Sequence, residues 1–405
     1  MGSSEVSQTK QKFDSHSPRV RLKTSFGTAL VQDQLTHEDR VAFEFGFRRY
    51  ALDHRYYEIT HSALTSHFDH LYLILKDAGG KTRAVQPFLF VRQDLVMGTP
   101  ALVRRSVEPI RKVAPWFLRL PMMMIGCSAG EGDIAADLVS GDISWTVDAL
   151  QGSLPKVARA LGAFMIVFKD YPKSYRSSLD RLSAAGFKRV PSMPATGLDL
   201  DFQDFEDYLS RKLSHAMRKN LRRKFRKAAG GPPITFEVCT DIRPHLDEVL
   251  PLYRAVYERA SQKFEELNSS YFSQLSQEMP DRSRFLVWRQ GNKIVGFASC
   301  IVYDGVLRDN YIGLDYSVAF DQHLYFVTWR DTVSWAMENG YRHYHSAPLN
   351  YDPKLHFRME LEPLDLYVRA TNTSFNLILR RLLPVLEPTR YDPVLQKFPN
   401  AAELW

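Results

Sequence analysis

Apolar residues recur along the chain with two periods. DHLYLILKD (69–77) and AVQPFLFVRQD (84–94) are strand-like runs joined by the turn residues AGGK, a β-hairpin pattern. PMMMIGCSAGEGD (121–133) reads as a strand running into a glycine-rich loop, followed by a helix over about 147–161 and a strand, GAFMIVFKD (162–170). A helical region is expected before this set, at 37–65, and basic, partly helical sequence within it, at 101–118.

The second half repeats the order. ITFEVCT (234–240) is strand-like and HLDEVLPLYRAVYERA (245–260) has helical spacing. SRFLVWRQ, the turn GN and KIVGFASCIVYD form a second hairpin, and VLRDNYIGLDYS is the next strand. The amphipathic segment HLYFVTWRDTVSWAMENG ends at Gly340 as its cap, and RHYHSAP is the strand after it. Hairpin, strand, loop, helix, strand thus occurs twice, which predicts two copies of one α+β fold. The expected boundaries are a disordered tail at 1–18, a first domain at 19–204, a basic helix at 205–230, a second domain at 231–370, and a C-terminal helix and tail at 371–405.

Charge sharpens the picture at one place. LSHAMRKNLRRKFRKA (213–228) holds seven Lys and Arg and no acid, whereas the whole chain has a net charge of +7. Removing the nine cations between Arg211 and Lys227 leaves about −2 for the rest, so the basicity is local. Leu213, Met217, Leu221 and Phe225 recur every fourth residue. Residues 205–228 are therefore expected to form a helix docked through that stripe, its cations fanned around it. A solvated helix, a contact for RNA or another polyanion, and a contact for anionic lipid headgroups all fit such a stretch. Gly230-Gly231-Pro232-Pro233 closes it.

Three separated cysteines, Cys127, Cys239 and Cys300, and a polar N-terminus without a signal-peptide core predict a cytoplasmic protein with reduced thiols. The longest apolar runs are strand-sized, so no transmembrane segment is expected. The loop 126–133 lacks Walker or Rossmann spacing and reads as a turn or as lining between the halves. Cys127 has no histidine partner by spacing, and His343, His345 and His356 show no zinc-ligand pattern, so no metal is expected.

The basic segment, followed by strand, helix, hairpin and the Y-D-x-K element Tyr351-Asp352-Pro353-Lys354, resembles tandem-domain members of the GNAT acyltransferase superfamily. The subgroup is the one related to Fem-type aminoacyl transferases. Residues 195–370 carry the resemblance, and the first half shares the order of elements. It implies an α+β chain of two tandem GNAT-like domains, each a mixed, mainly antiparallel sheet flanked by helices. It also implies transfer of an acyl or aminoacyl group to a small amine or amino-acid-like acceptor, with an alternative of a non-catalytic polyanion-binding protein. No cofactor would be bound permanently; the donor would be an acyl-CoA, an acyl carrier protein or an aminoacyl-tRNA. The stretch YSVAFDQHLYF lacks the glycines with which acetyl-CoA-using members hold pyrophosphate, so poor acetyl-CoA binding is expected.

Strand periodicity places Asp309, Tyr311, Gly313 and Asp315 on one face and Arg308, Asn310, Ile312 and Leu314 on the other. Two carboxylates and a phenol on an inner strand face need a polar cleft. Asp309 or Asp315 is the candidate base, and Tyr311 or Tyr316 the candidate hydrogen-bond donor; an ion pair or hairpin edge is the structural alternative. In NYDPKLHFRMEL, Asp352 reads as an N-cap, with Lys354 and Arg358 one turn apart on one face. The resemblance places a functional lysine at Lys354, at the mouth of a cleft. The candidate substrate-binding set is Asn310, Tyr316, Tyr351, Arg358, Arg222 and Arg226.

Overall fold

The computed structural model of the chain describes residues 18–66, 68–94, 101–113, 119–260 and 262–405; the expected tail lies, up to residue 17, outside the described residues. Fifteen strands are described. β1 (Val20–Thr24), β2 (Gly27–Gln32), β3 (Asp69–Lys76), β4 (Thr82–Asp94), β5 (Arg119–Ile125), β6 (Met165–Pro172) and β7 (Lys188–Pro191) come first. β8 (Ala195–Asp199), β9 (Ile234–Cys239), β10 (Ser283–Gln290), β11 (Lys293–Tyr303), β12 (Val306–Leu314), β13 (His343–Ser346), β14 (Glu360–Glu362) and β15 (Leu364–Ala370) follow.

They form two mixed sheets, ordered β1-β2-β3-β4-β5-β6-β15-β7 and β14-β8-β13-β12-β11-β10-β9. Each contains one parallel pair, β5 with β6 and β12 with β13, among antiparallel neighbours. Hairpin, strand, helix, strand recurs in both, with helices Ser144–Ala160 and Leu324–Glu338 linking the parallel strands. The tandem α+β architecture read from the sequence is the one observed. The first hairpin, β1 with β2, carried no expectation of its own.

The sheets do not respect the expected boundaries at 204 and 370. β8 directly follows β7 yet pairs with β13 and β14 in the second sheet, while β15 follows β14 yet pairs with β6 and β7 in the first. Each half thus lends one strand to the other, and the loan is symmetric: each guest strand lies beside the second member of a parallel pair. Pairing partners so distant in sequence leave no local periodic signal. The graft is anchored by charge: buried Asp365 on β15 accepts from Arg176 Nε at 2.6 Å and Arg189 Nη1 at 2.7 Å.

One apolar core covers the first sheet and one face of the second, including Phe285, Val287, Phe297 and Ile301. A second core takes the other face, with Leu286, Trp288, Ala298, Cys300 and Leu307, under helix Leu324–Glu338. Helix Leu246–Arg259 packs on β12 at Gly313, where an added Cβ would lie 2.7 Å from the Tyr253 backbone nitrogen, so only glycine permits that approach.

The basic segment is two helices, Phe205–Lys212 and His215–Ala229, rather than the single helix expected over 205–228. Leu213 is extended and the Ser214 hydroxyl accepts from Met217 N–H at 3.3 Å, starting the second helix as its N-cap. The docking stripe is otherwise as read: Leu213 and Leu221 are buried, with Met217 and Phe225 partly so.

Asp365→Ala is expected to cost about 3–5 kcal/mol, because it leaves two guanidiniums without their buried partner. Urea unfolding followed by fluorescence and by circular dichroism should still give one shared transition, since neither sheet is complete without the other half. Two separated transitions would show that the strand exchange does not couple the halves.

Candidate functional site

β12 and β13 pair only from Val306 with His343 to Asp309 with Ser346; β12 then runs on alone to Leu314 along that edge. Across the other edge, Ser299 pairs with Tyr311 but Cys300 pairs with Asp309, so Asn310 is an extra, bulged residue. A bulge shifts the alternation by one. Asp309 therefore turns to the face of Cys300 and the second core, while Tyr311 turns to the face of Ser299 and the first half of the chain. The expectation that Asp309, Tyr311 and Asp315 share one face fails for this reason: strict period-two counting has no term for an inserted residue.

On the second-core face, Asp309 accepts from the Tyr344 hydroxyl at 2.7 Å, and Cys300 Sγ lies 3.9 Å from its other oxygen. Burial pushes the Asp309 carboxyl above the usual carboxylate range, partly offset by Tyr344 and by the charge of Lys354. Lys354 is buried rather than at a cleft mouth, and its ammonium donates to the Ala347 carbonyl. Desolvation draws its pKa from 10.5 down to about 7, against the pull of Asp309. The connection that brings Lys354 here has Leu349 and Asn350 at φ +77° and +50°, a strained turn held by its surroundings.

On the opposite face, Tyr311 donates to half-buried Glu265 at 2.8 Å, and burial raises the Glu265 pKa. Lys169 from β6 stands nearby, paired with Asp170 at 2.6 Å and donating to the Gly130 carbonyl at 3.2 Å. Burial works against its charge, but Asp170 and Glu265 outweigh that and hold its pKa above the ordinary value. The loop after β5 completes this side: Glu131 accepts from Arg308 at 2.9 Å and sits 3.2 Å from His345 Nε2. Glu362 lies between His345 at 2.5 Å and His343 at 2.7 Å. The glycine-rich loop thus lines the junction of the halves, the second of its two readings.

The remaining candidates fall elsewhere. Asp315 caps a short helix through Ser317 N–H at 2.9 Å and pairs with Lys293 at 2.6 Å. With Tyr316 and Arg259 it lines a separate cavity of ≈ 470 Å³. Asn310 is the bulge itself. Tyr351 is buried and donates to the Pro194 carbonyl at 2.8 Å, an anchor for the guest strand's connection. The helix there spans Tyr351–His356 with Asn350 at its N-cap, so Asp352 is not the cap. Arg358 lies beyond that helix at φ +57° and shares no helix face with Lys354.

Arg222 pairs with Glu206 at 2.6 Å, and Arg226 donates to the Arg222 carbonyl at 3.4 Å. Lys224 instead lies over the Phe326 ring at 3.2 Å, at the start of the helix that covers Asp309. Cys127 is fully buried and its thiol is pushed up to about 12, which leaves it no nucleophilic role. Among the described residues, no group of three or more His, Cys, Asp and Glu is placed to hold a metal ion. Glu265, Lys169 and Tyr344 were missed because they lie on a loop, another half and a neighbouring strand, with no spacing that joins them.

Residues 215–354 match the model of the acetyltransferase (GNAT) domain family, from the first residue of the second basic helix to Lys354. The structure of FemX superposes with a TM-score of 0.52 at 13% identity, covering 86% of this chain and 99% of that one. L-PGS from Bacillus licheniformis gives 0.51 at 12% identity, covering 88% and 98%. At such identities the likeness is one of fold, and it spans both halves. No curated protein sequence matches the chain.

Lys354 gives a pH signature in stability. Its folded pKa, about 7, lies below its unfolded one, near 10.5. The unfolded chain therefore binds more protons between those values, and stability rises with pH across that window. Lys354→Met should remove that rise in a series of melts from pH 6.5 to 10. A rise of equal size in the variant would assign it to another group.

Proposed function

We propose that the protein transfers an acyl or aminoacyl group to an amine at the notch where β12 and β13 part. One observation carries this reading: at the bulge, Asp309 with Lys354 lies on one side of the sheet and Tyr311 with Glu265 on the other, so reactants can meet through the gap between the strands. The matched GNAT domain and the FemX-like fold support transfer as the reaction class.

The chemistry asks for a proton acceptor, a donor and a cation. An acceptor enters from the Tyr311 side as an ammonium and loses a proton to the Glu265 carboxylate, whose proton affinity is raised by burial. The neutral amine attacks the carbonyl of an ester or thioester. Collapse of the tetrahedral species breaks the acyl–oxygen or acyl–sulfur bond, and the leaving group takes the proton of Lys354. The surplus proton on the new amide nitrogen then returns to the Lys354 amine. A lysine titrating at about 7 can make both moves at neutral pH. The Ala347 carbonyl holds that lysine, and the charge of Asp309 biases it towards the protonated form. An acyl-CoA, an acyl carrier protein and an aminoacyl-tRNA all present a suitable carbonyl.

The test is to offer each donor class with a range of primary amines and read amide products by mass spectrometry. With a productive pair in hand, Lys354→Met is expected to lower kcat/KM about ten- to hundredfold, the cost of a lost charge-assisted contact. Asp315→Ala should stay within about threefold, because the residue caps a helix outside the notch, at a stability cost of about 1 kcal/mol. Full activity in Lys354→Met, or equal losses in both variants, would remove the notch as the site.

A further inference from the structure

The C-terminal helix, Thr373–Leu386, has an apolar face that no described residue covers. Its orientation is fixed from the inside: Asn376 accepts from Ala370 N–H at 2.8 Å and donates to the Gly186 carbonyl at 2.9 Å, with Leu379 buried beside it. Leu377, Ile378, Leu382, Val385 and Leu386 then point outward and are 49–60% exposed. Side chains of this size rarely collect on a surface without a partner.

Two features identify what covers it. From Arg369 to Leu386 the chain carries Arg369, Arg380 and Arg381 and no carboxylate, and Arg159 close to Arg369 adds positive charge at the start of the helix. At the other end two aromatic residues surface, Tyr391 at 64% exposed and Trp405 at 40%. Their polar atoms are held, Tyr391 donating to the Val385 carbonyl at 2.7 Å and Trp405 to Glu387 at 3.0 Å. An apolar stripe, an arginine beside it and one within it whose long stem can carry its charge to the headgroups, and amphipathic rings form the pattern of a helix lying in a membrane interface. No described helix is long and apolar enough to cross a membrane, so the contact is with its surface.

We propose that this helix docks the protein on an anionic bilayer surface, its apolar stripe among the lipid chains and Arg380 and Arg381 at the headgroups. A second copy of the chain fits less well. Two-fold pairing would set the same arginines against each other, and the helix offers no carboxylate to meet them.

Flotation of the full chain with vesicles tests this. The protein should float with phosphatidylcholine vesicles containing phosphatidylglycerol and remain in solution with phosphatidylcholine alone. Arg380→Gln with Arg381→Gln should weaken partition about thirtyfold, the effect of two charges at an anionic surface. Ile378→Ser with Leu382→Ser should abolish it without lowering the melting temperature, because both side chains are exposed. Failure of the wild type to float with anionic vesicles overturns the proposal, as does undiminished flotation of the serine variant. So would a dimer in sedimentation that the serine variant dissolves while vesicles are ignored, which would assign the face to self-association.

Discussion

One inserted residue organises the candidate site. Without the bulge at Asn310, Asp309 and Tyr311 would face the same way and one of them would be driven into an apolar core without a partner. With it, each reaches a polar set of its own, Tyr344 and Lys354 on one side, Glu265 and Lys169 on the other. The bulge sits where β13 stops pairing with β12, so the change of face and the opening of the sheet coincide. Everything else has to hold that arrangement rigid.

The strand exchange does so. β8, the guest strand in the second sheet, is the neighbour that keeps β13 in place, and Asp199 on it stands 2.7 Å from His343. From there acidic and basic side chains alternate through Glu362, His345 and Glu131 to Arg308, next to the bulge. Acidic groups in that line come from both halves, so the junction is built as one object. The burial that makes this network costly to disturb also depresses the Lys354 pKa and raises those of Asp309 and Glu265.

Local pattern carried most of the fold. The hairpins, the long helices and the duplication were legible because alternation and helical spacing persist over eight or more residues. Three features were not. Strand exchange depends on pairing across more than a hundred residues. The bulge is a single-residue insertion inside a strand whose composition is unremarked. The break at Leu213–Ser214 depends on a serine cap within an otherwise continuous helical pattern. Of the candidate residues, Asp309 and Lys354 lie close enough to act on each other by charge, while Tyr311 turns to the other face of the sheet and meets Glu265. Asp315, Tyr316, Tyr351 and Arg358 have other duties, because sequence distance from a motif says nothing about which face a side chain takes.

The site depends on a lysine that is buried near a carboxylate and titrates at about 7. Carbon-13 labelling of the lysine side chains and an NMR titration of their Cε signals measure this directly. One signal, absent from Lys354→Met, should titrate at about 7, and should move lower still in Asp309→Asn, where the charge that sustains the ammonium is gone. A Lys354 signal that titrates near 10.5 and ignores the Asp309 substitution would place the side chain in solvent and contradict the site described.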